Sequence, residues 1–193
     1  MSSEMVWYVA RASGIVTWAL LAASVSWGLA LTSRTMSRRA RPAWLLDLHR
    51  FMAGAALVFL AIHVGSIAAD TYVHFGPVSL LVPFTGHWHP VAVAWGIVAM
   101  YVLVALEVTS LLRTRLPRRL WRATHYASFP LFGLATLHAL TAGTDRHDPL
   151  LRYSMLAVTA GVVTLAVVRA VRSARGQRLR APRLAANQQG ALP

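Results

Sequence analysis

The sequence predicts an all-α membrane protein, a bundle of about five transmembrane helices with the N-terminus outside and the C-terminus in the cytoplasm. Three observations lead there. Hydrophobic residues fill 56% of the 193 positions and charged residues only 13%, and the mean hydropathy is +0.52, far more apolar than a soluble domain. The apolar residues fall in five runs close to the ~20 residues that a spanning helix needs. The 19 basic residues are all arginine, and they gather between those runs instead of along one face. A net charge of +13 distributed in this way argues for a lipid bilayer as partner and against nucleic acid. The absence of cysteine excludes disulfides, thiolate chemistry and iron–sulfur ligation. The length is that of one domain.

The first run, residues 6–31, follows Glu4 instead of a basic segment and has no small-x-small cleavage site. It therefore reads as a helix and not as a secretory signal. Further spanning helices are expected over residues 44–69, 91–112, 120–142 and 150–168. The connection "DTYVHFGPVSLLVPFTGHWHP" is too short and too proline-broken to cross. It is expected to lie in the outer interface, with Tyr72, Phe75 and Trp88 as headgroup-level anchors. In "TAGTDRHDP", Gly143 is placed to end one helix and Pro149 to open the next. Residues 1–172 form the transmembrane domain, and the basic, Gln- and Pro-containing tail over 173–193 is expected to be disordered.

Arginine placement orients the bundle. The loop after the first helix and its flank carry Arg34, Arg38, Arg39, Arg41 and Arg50, and the loop before the fourth carries Arg113, Arg115, Arg118, Arg119 and Arg122. The tail adds Arg169, Arg172, Arg175, Arg178, Arg180 and Arg183, whereas the other side holds only Arg11, Arg146 and Arg152. The second and fourth helices then run in parallel from inside to outside. The lysine-free, Ala/Arg/Leu/Val-rich usage resembles that of a high-GC bacterium, which points to the bacterial cytoplasmic membrane.

Polar side chains inside a bilayer are costly and mark function by default. "HRFMAGAALVFLAIH" places His49 and His63 at its ends, and "HYASFPLFGLATLH" does the same with His125 and His138. Fourteen helical residues separate the first two by about 40° and about 21 Å of rise; thirteen separate the second two by about 20 Å. On parallel helices His49 is level with His125 near the inside, and His63 with His138 near the outside. Two facing imidazole pairs are the geometry for two bis-histidine b haems, whose low-spin iron suits electron transfer. Thirteen ideal residues also turn His138 about 140° from His125, and Pro130 and Gly133 lie between them as the residues able to re-aim the rings. The small residues Ala53, Gly54, Ala55 and Ala56 would admit a flat macrocycle. Arg50 and Arg122 are placed for the propionates of an inner haem and Arg11 for those of an outer one; the alternative is ordinary interfacial anchoring. Hydrogen-bonded packing is the alternative for the histidines. Glu107 is a snorkelling or arginine-paired carboxylate, or else a proton or quinol group. His74, His87, His89 and His147, with Asp70, Asp145 and Asp148, form either a solvated outer surface or an acceptor or metal site.

On the residues His49-x13-His63 and His125-x12-His138, carried by parallel helices with one helix between them, the chain resembles the ferric-reductase-like transmembrane superfamily. That group contains NADPH oxidases, ferric reductases and the membrane haem subunit of bacterial methionine sulfoxide reductase. The first helix, "RASGIVTWALLAASVSWGLALTSR", is similar to the helix that precedes the first histidine helix there, with Arg11 near the outer haem. The resemblance covers residues 6–170 and implies that His49 and His125 ligate an inner haem b and His63 and His138 an outer one. It departs from the oxidases in lacking their extra N-terminal helix. It also lacks a flavin and pyridine-nucleotide module, since the tail carries no Gly-rich fingerprint. The expected function is transmembrane electron transfer, as the haem subunit of an oxidoreductase. The donor would be a separate cytoplasmic-side flavoprotein or quinol, and the acceptor ferric iron or a partner reductase outside. The alternatives are a histidine-based proton or metal transporter and a non-catalytic membrane anchor of a redox complex.

Overall fold

The computed structural model describes residues 3–32, 43–71, 75–143 and 148–189, with side chains to residue 175. Arg34, Arg38, Arg39, Arg41, Tyr72, His74, Asp145, Arg146 and His147 lie outside the described residues, as do the side chains of Arg178, Arg180 and Arg183. Among the described residues every element is helical: α1 (Ser3–Thr32), α2 (Ala43–Ala69), α3 (Pro77–Leu81), α4 (Pro90–Leu111), α5 (Arg118–His125), α6 (Ser128–Ala142) and α7 (Pro149–Gln189). Four of them are long and apolar enough to cross a membrane, spanning Glu4–Leu31, Ala43–Ala69, Pro90–Leu111 and Pro149–Arg175. Large apolar side chains stand exposed along these helices, among them Phe51 at 71% and Val163 at 54%. Contiguous apolar surface of that kind suits lipid, not water.

Local chemistry accounts for the boundaries. Pro77, Pro90 and Pro149 each occupy the first helical position, where their missing N–H costs nothing. Asp148 caps α7, its carboxylate accepting from the N–H of Leu150 at 2.8 Å and of Leu151 at 3.2 Å. Hydroxyls inside the bundle bond back to their own helix, as Ser13 does to Val9 O at 2.6 Å and Thr17 to Ser13 O at 2.8 Å. Lipid offers no other partner.

The stretch expected to be one helix over 120–142 is two. α5 ends at His125 and α6 begins at Ser128. Pro130 is the physical cause: it has no N–H for the Tyr126 carbonyl, and its ring would clash with that group. The carbonyl is satisfied one residue early, by Phe129 N–H at 3.2 Å, while Ala127 N–H reaches Thr124 O at 2.9 Å. Both are tighter i to i+3 bonds. α7 differs as well, continuing past Val168, the expected end of the last spanning helix, and through the tail expected to be disordered from residue 173, to Gln189. Residues 169–175 hold Ala, Arg, Val and Ser with no Gly or Pro, a composition compatible with helix.

α1 packs against α2 and α6, and α4 packs against the same two. The four form a ring in which α2 and α6 stand on one diagonal, with α7 outside against α1 and α6. Trp18, Leu21, Ala56, Leu103, Leu131 and Phe132 belong to the core. Trp18 stacks on Phe132 at 6.0 Å, and its indole N–H donates to Thr136 Oγ1 at 2.9 Å. Thr136→Val removes that acceptor at nearly constant volume. It is expected to destabilise the bundle by about 1–2 kcal/mol, read as a shifted unfolding midpoint in detergent.

Candidate functional site

Ligand sites in helical bundles are built from side chains of facing helices. The α2–α6 diagonal does this twice. His49 and His63 point from one side of α2 toward the far helix, as their 14-residue spacing requires. His125, the last residue of α5, meets His49 with ring centroids 6.1 Å apart and planes crossed at 73°. His138, on α6, meets His63 at 6.3 Å and 80°. All four sequence-predicted histidines are thus brought together, in the predicted pairs. Two imidazoles bound on opposite faces of one metal ion, at a metal–nitrogen distance of about 2.0 Å, have ring centroids roughly 6.3 Å apart.

The outer nitrogens of the rings are held by the neighbouring helices. His63 Nδ1 lies 2.7 Å from Ala10 O on α1, and His138 Nδ1 lies 2.8 Å from Ala92 O on α4. A carbonyl only accepts, so Nδ1 carries the proton in both and the lone pair is left on Nε2. A histidine that ligates metal usually has its other ring nitrogen held in this way. The other pair is held differently. His49 Nδ1 meets Ser24 Oγ at 3.2 Å. His125 Nδ1 is buried without a partner, as is Trp121 Nε1, and the two rings stack at 5.1 Å.

A cavity of about 290 Å³ surrounds the His63–His138 pair, walled by apolar residues such as Leu21, Ile97 and Leu103. Arg11 lines it, half-buried, with its guanidinium 5.2 Å over the Trp7 ring. Arg50 and Arg122 are exposed at the other end, and Arg50 pairs with Asp47 at 3.2 Å. Arg50→Ala is therefore expected to change stability by less than about 0.5 kcal/mol in thermal unfolding, in keeping with an exposed pair. Glu107 is half-buried on α4. Phe75 and Trp88, expected as interfacial anchors, touch edge-to-face at 6.2 Å and line the cavity. α3 is tied down beside them by the Tyr101 hydroxyl, which donates to Leu81 O at 2.7 Å.

His87 and His89 are exposed, and Asp148 serves as a helix cap. Among the described residues no group of three or more His, Asp or Glu is placed to hold a metal ion. Ala53, Gly54 and Ala55 are half-buried, while Ala56 is fully buried in the core.

The sequence reading missed the glycines that receive the rings. A Cβ on Gly14 would stand 2.9 Å from the His63 ring, one on Gly96 2.6 Å from that of His138, and one on Gly28 3.4 Å from that of His49. A signal was present: Gly14 and Gly28 repeat the 14-residue interval of His49 and His63. Trp121, one turn before His125, was also missed; nothing in its spacing marks it.

No protein-family model, curated protein or solved structure matches this chain.

Proposed function

We propose that the chain is a transmembrane electron conduit that holds two b haems, one between His49 and His125 and one between His63 and His138. The observation that carries this reading is the pair of ring separations, 6.1 and 6.3 Å, close to the roughly 6.3 Å of a metal-bridged imidazole pair. Two imidazoles are too few to hold a bare ion, and among the described residues no third His, Asp or Glu joins either pair. A haem would need only two ligands from the protein, which His49 with His125 and His63 with His138 would supply. When bound, it would supply one-electron chemistry.

The chain's own residues do the rest. Ala10 O and Ala92 O orient the outer imidazoles, and the apolar wall of Leu21, Ile97 and Leu103 keeps water from them. Arg11 offers a cation at the cavity. The proposal includes five crossings, with α5 and α6 together making the fourth. It places the N-terminus outside and the arginine-rich connections inside, in a bacterial cytoplasmic membrane. Electrons would enter from a separate flavoprotein or from quinol on the arginine-rich side and leave to ferric iron or a partner reductase. The ferric-reductase-like superfamily is the class it fits. A hydrated proton or metal path is disfavoured by the apolar walls around His63 and His138.

The deciding measurement is a reduced-minus-oxidised absorption spectrum of the purified protein, with haem quantified per chain. The expected result is a low-spin b-type spectrum and two haems. A protein reconstituted with haem that shows no Soret band overturns the proposal.

A further inference from the structure

We infer that three glycines act as seats that fix the histidine rings, and that the two ends of the molecule are seated unequally. The inference rests on the four histidines being ligands. Each seat has the same two parts on a neighbouring helix: a group that meets Nδ1, and a glycine one turn later. For His63 they are Ala10 O and Gly14, and for His138 Ala92 O and Gly96. For His49 they are Ser24 Oγ and Gly28. Both parts recur on α1 at a 14-residue interval, the interval of His49 and His63 on the antiparallel α2. One antiparallel register therefore places both rings of α2.

The glycine matters because of how closely the ring approaches. A methyl group on Gly96 would come within 2.6 Å of His138 Nδ1, and one on Gly14 within 2.9 Å of His63 Nδ1 and Cε1. On Gly28 the nearest atom, His49 Cε1, would stand at 3.4 Å, an ordinary contact distance. A free imidazole can swing away from an added methyl group, but a ring held by Nδ1 on one side and metal on the other cannot. The penalty therefore falls on ligation more than on folding. Gly65 on α2 and Gly161 on α7 have nothing within 4 Å of an added Cβ, so they separate a seat from a glycine that merely sits in a helix. His125 has neither part among the described residues. Its Nδ1 is unpartnered, and its ring is backed by Trp121.

The seats make two predictions with separate readouts. In the haem-free full chain in lipid nanodiscs, ¹⁵N-histidine NMR is expected to show His63 and His138 as neutral Nδ1–H tautomers and His125 as unfixed. In the haem-loaded chain, Gly96→Ala and Gly14→Ala are expected to weaken outer haem retention at least 10-fold, the scale of a lost second-shell partner. They should also alter the low-spin EPR anisotropy, which follows the angle between the ring planes. Gly65→Ala and Gly161→Ala should match the parent in haem retention, and Gly28→Ala, with its methyl group at contact distance, should weaken inner haem retention less than the other two seats weaken the outer. Either Gly96→Ala or Gly14→Ala decides the matter alone if the other does not accumulate. Gly14→Ala and Gly96→Ala proteins that retain haem like Gly161→Ala overturn the seats, as does NMR showing His63 and His138 without a proton on Nδ1. If the parent binds no haem, the conduit reading falls while the tautomer measurement still decides whether the rings are seated.

Discussion

Replacing either His63 or His138 with alanine is expected to lower bound haem from two per chain to one, the survivor remaining b-type and low-spin. Alanine at His49 or His125 is expected to remove the other haem and spare the first. One substitution from each pair should leave none. The independence follows from the helices: the pairs are about 21 Å apart along α2, so they share no ligand, and their ring partners differ, Ala10 and Ala92 for one pair and Ser24 and Trp121 for the other. The outer pair keeps its carbonyl partners, at 2.7 and 2.8 Å, whatever happens to the inner one. Haem per chain is read from the pyridine haemochrome against protein concentration. A His63→Ala protein that keeps two haems would show that the pairing is wrong.

Pro130→Ala is expected to raise helix content and lower haem content in the same protein. Alanine restores an N–H for the Tyr126 carbonyl and removes the ring that clashes with it, so α5 and α6 can fuse into one regular helix. A regular helix would carry His125 and His138 about 140° apart, and both could not then face α2. α6 is tied to α1 by the Trp18–Thr136 hydrogen bond and the stack on Phe132, and His138 to α4 by Ala92 O. α5 packs against α4, but among the described residues no side-chain hydrogen bond ties it to another helix, so His125 is the ring expected to leave. The expected outcome is loss of the inner haem, retention of the outer one, and unchanged or greater far-UV helicity. Two retained haems in Pro130→Ala would mean that the kink is not what aims His125.

Much of this architecture was legible in the chain because membrane helices announce themselves by composition and length. α2 and α4 begin and end within a residue or so of where their apolar runs do. The histidine pairs were legible because spacing along a helix translates directly into angle and depth. What spacing could not convey was the outcome at Pro130. A proline kink changes direction by an amount that depends on what the following helix packs against, and here that is Trp18 on a helix more than a hundred residues away. The glycine seats were hidden for a related reason. Gly14 and Gly96 look like many small residues in membrane helices until the facing ring is in place. The length of α7 was obscured by its polarity, which on composition alone is indistinguishable from that of a solvated tail.

The break between His125 and Ser128 also divides the molecule mechanically. Three of the four paired histidines sit within continuous stretches of the packed ring, whereas His125 closes an eight-residue segment that opens with Arg118 and Arg119. A push on that arginine-bearing segment would pivot about Tyr126 and Ala127 and reach His125 ahead of α6. The turn is in effect a joint. In the proposed conduit it would let the arginine-rich end yield to a docking donor while the His63–His138 end keeps its geometry.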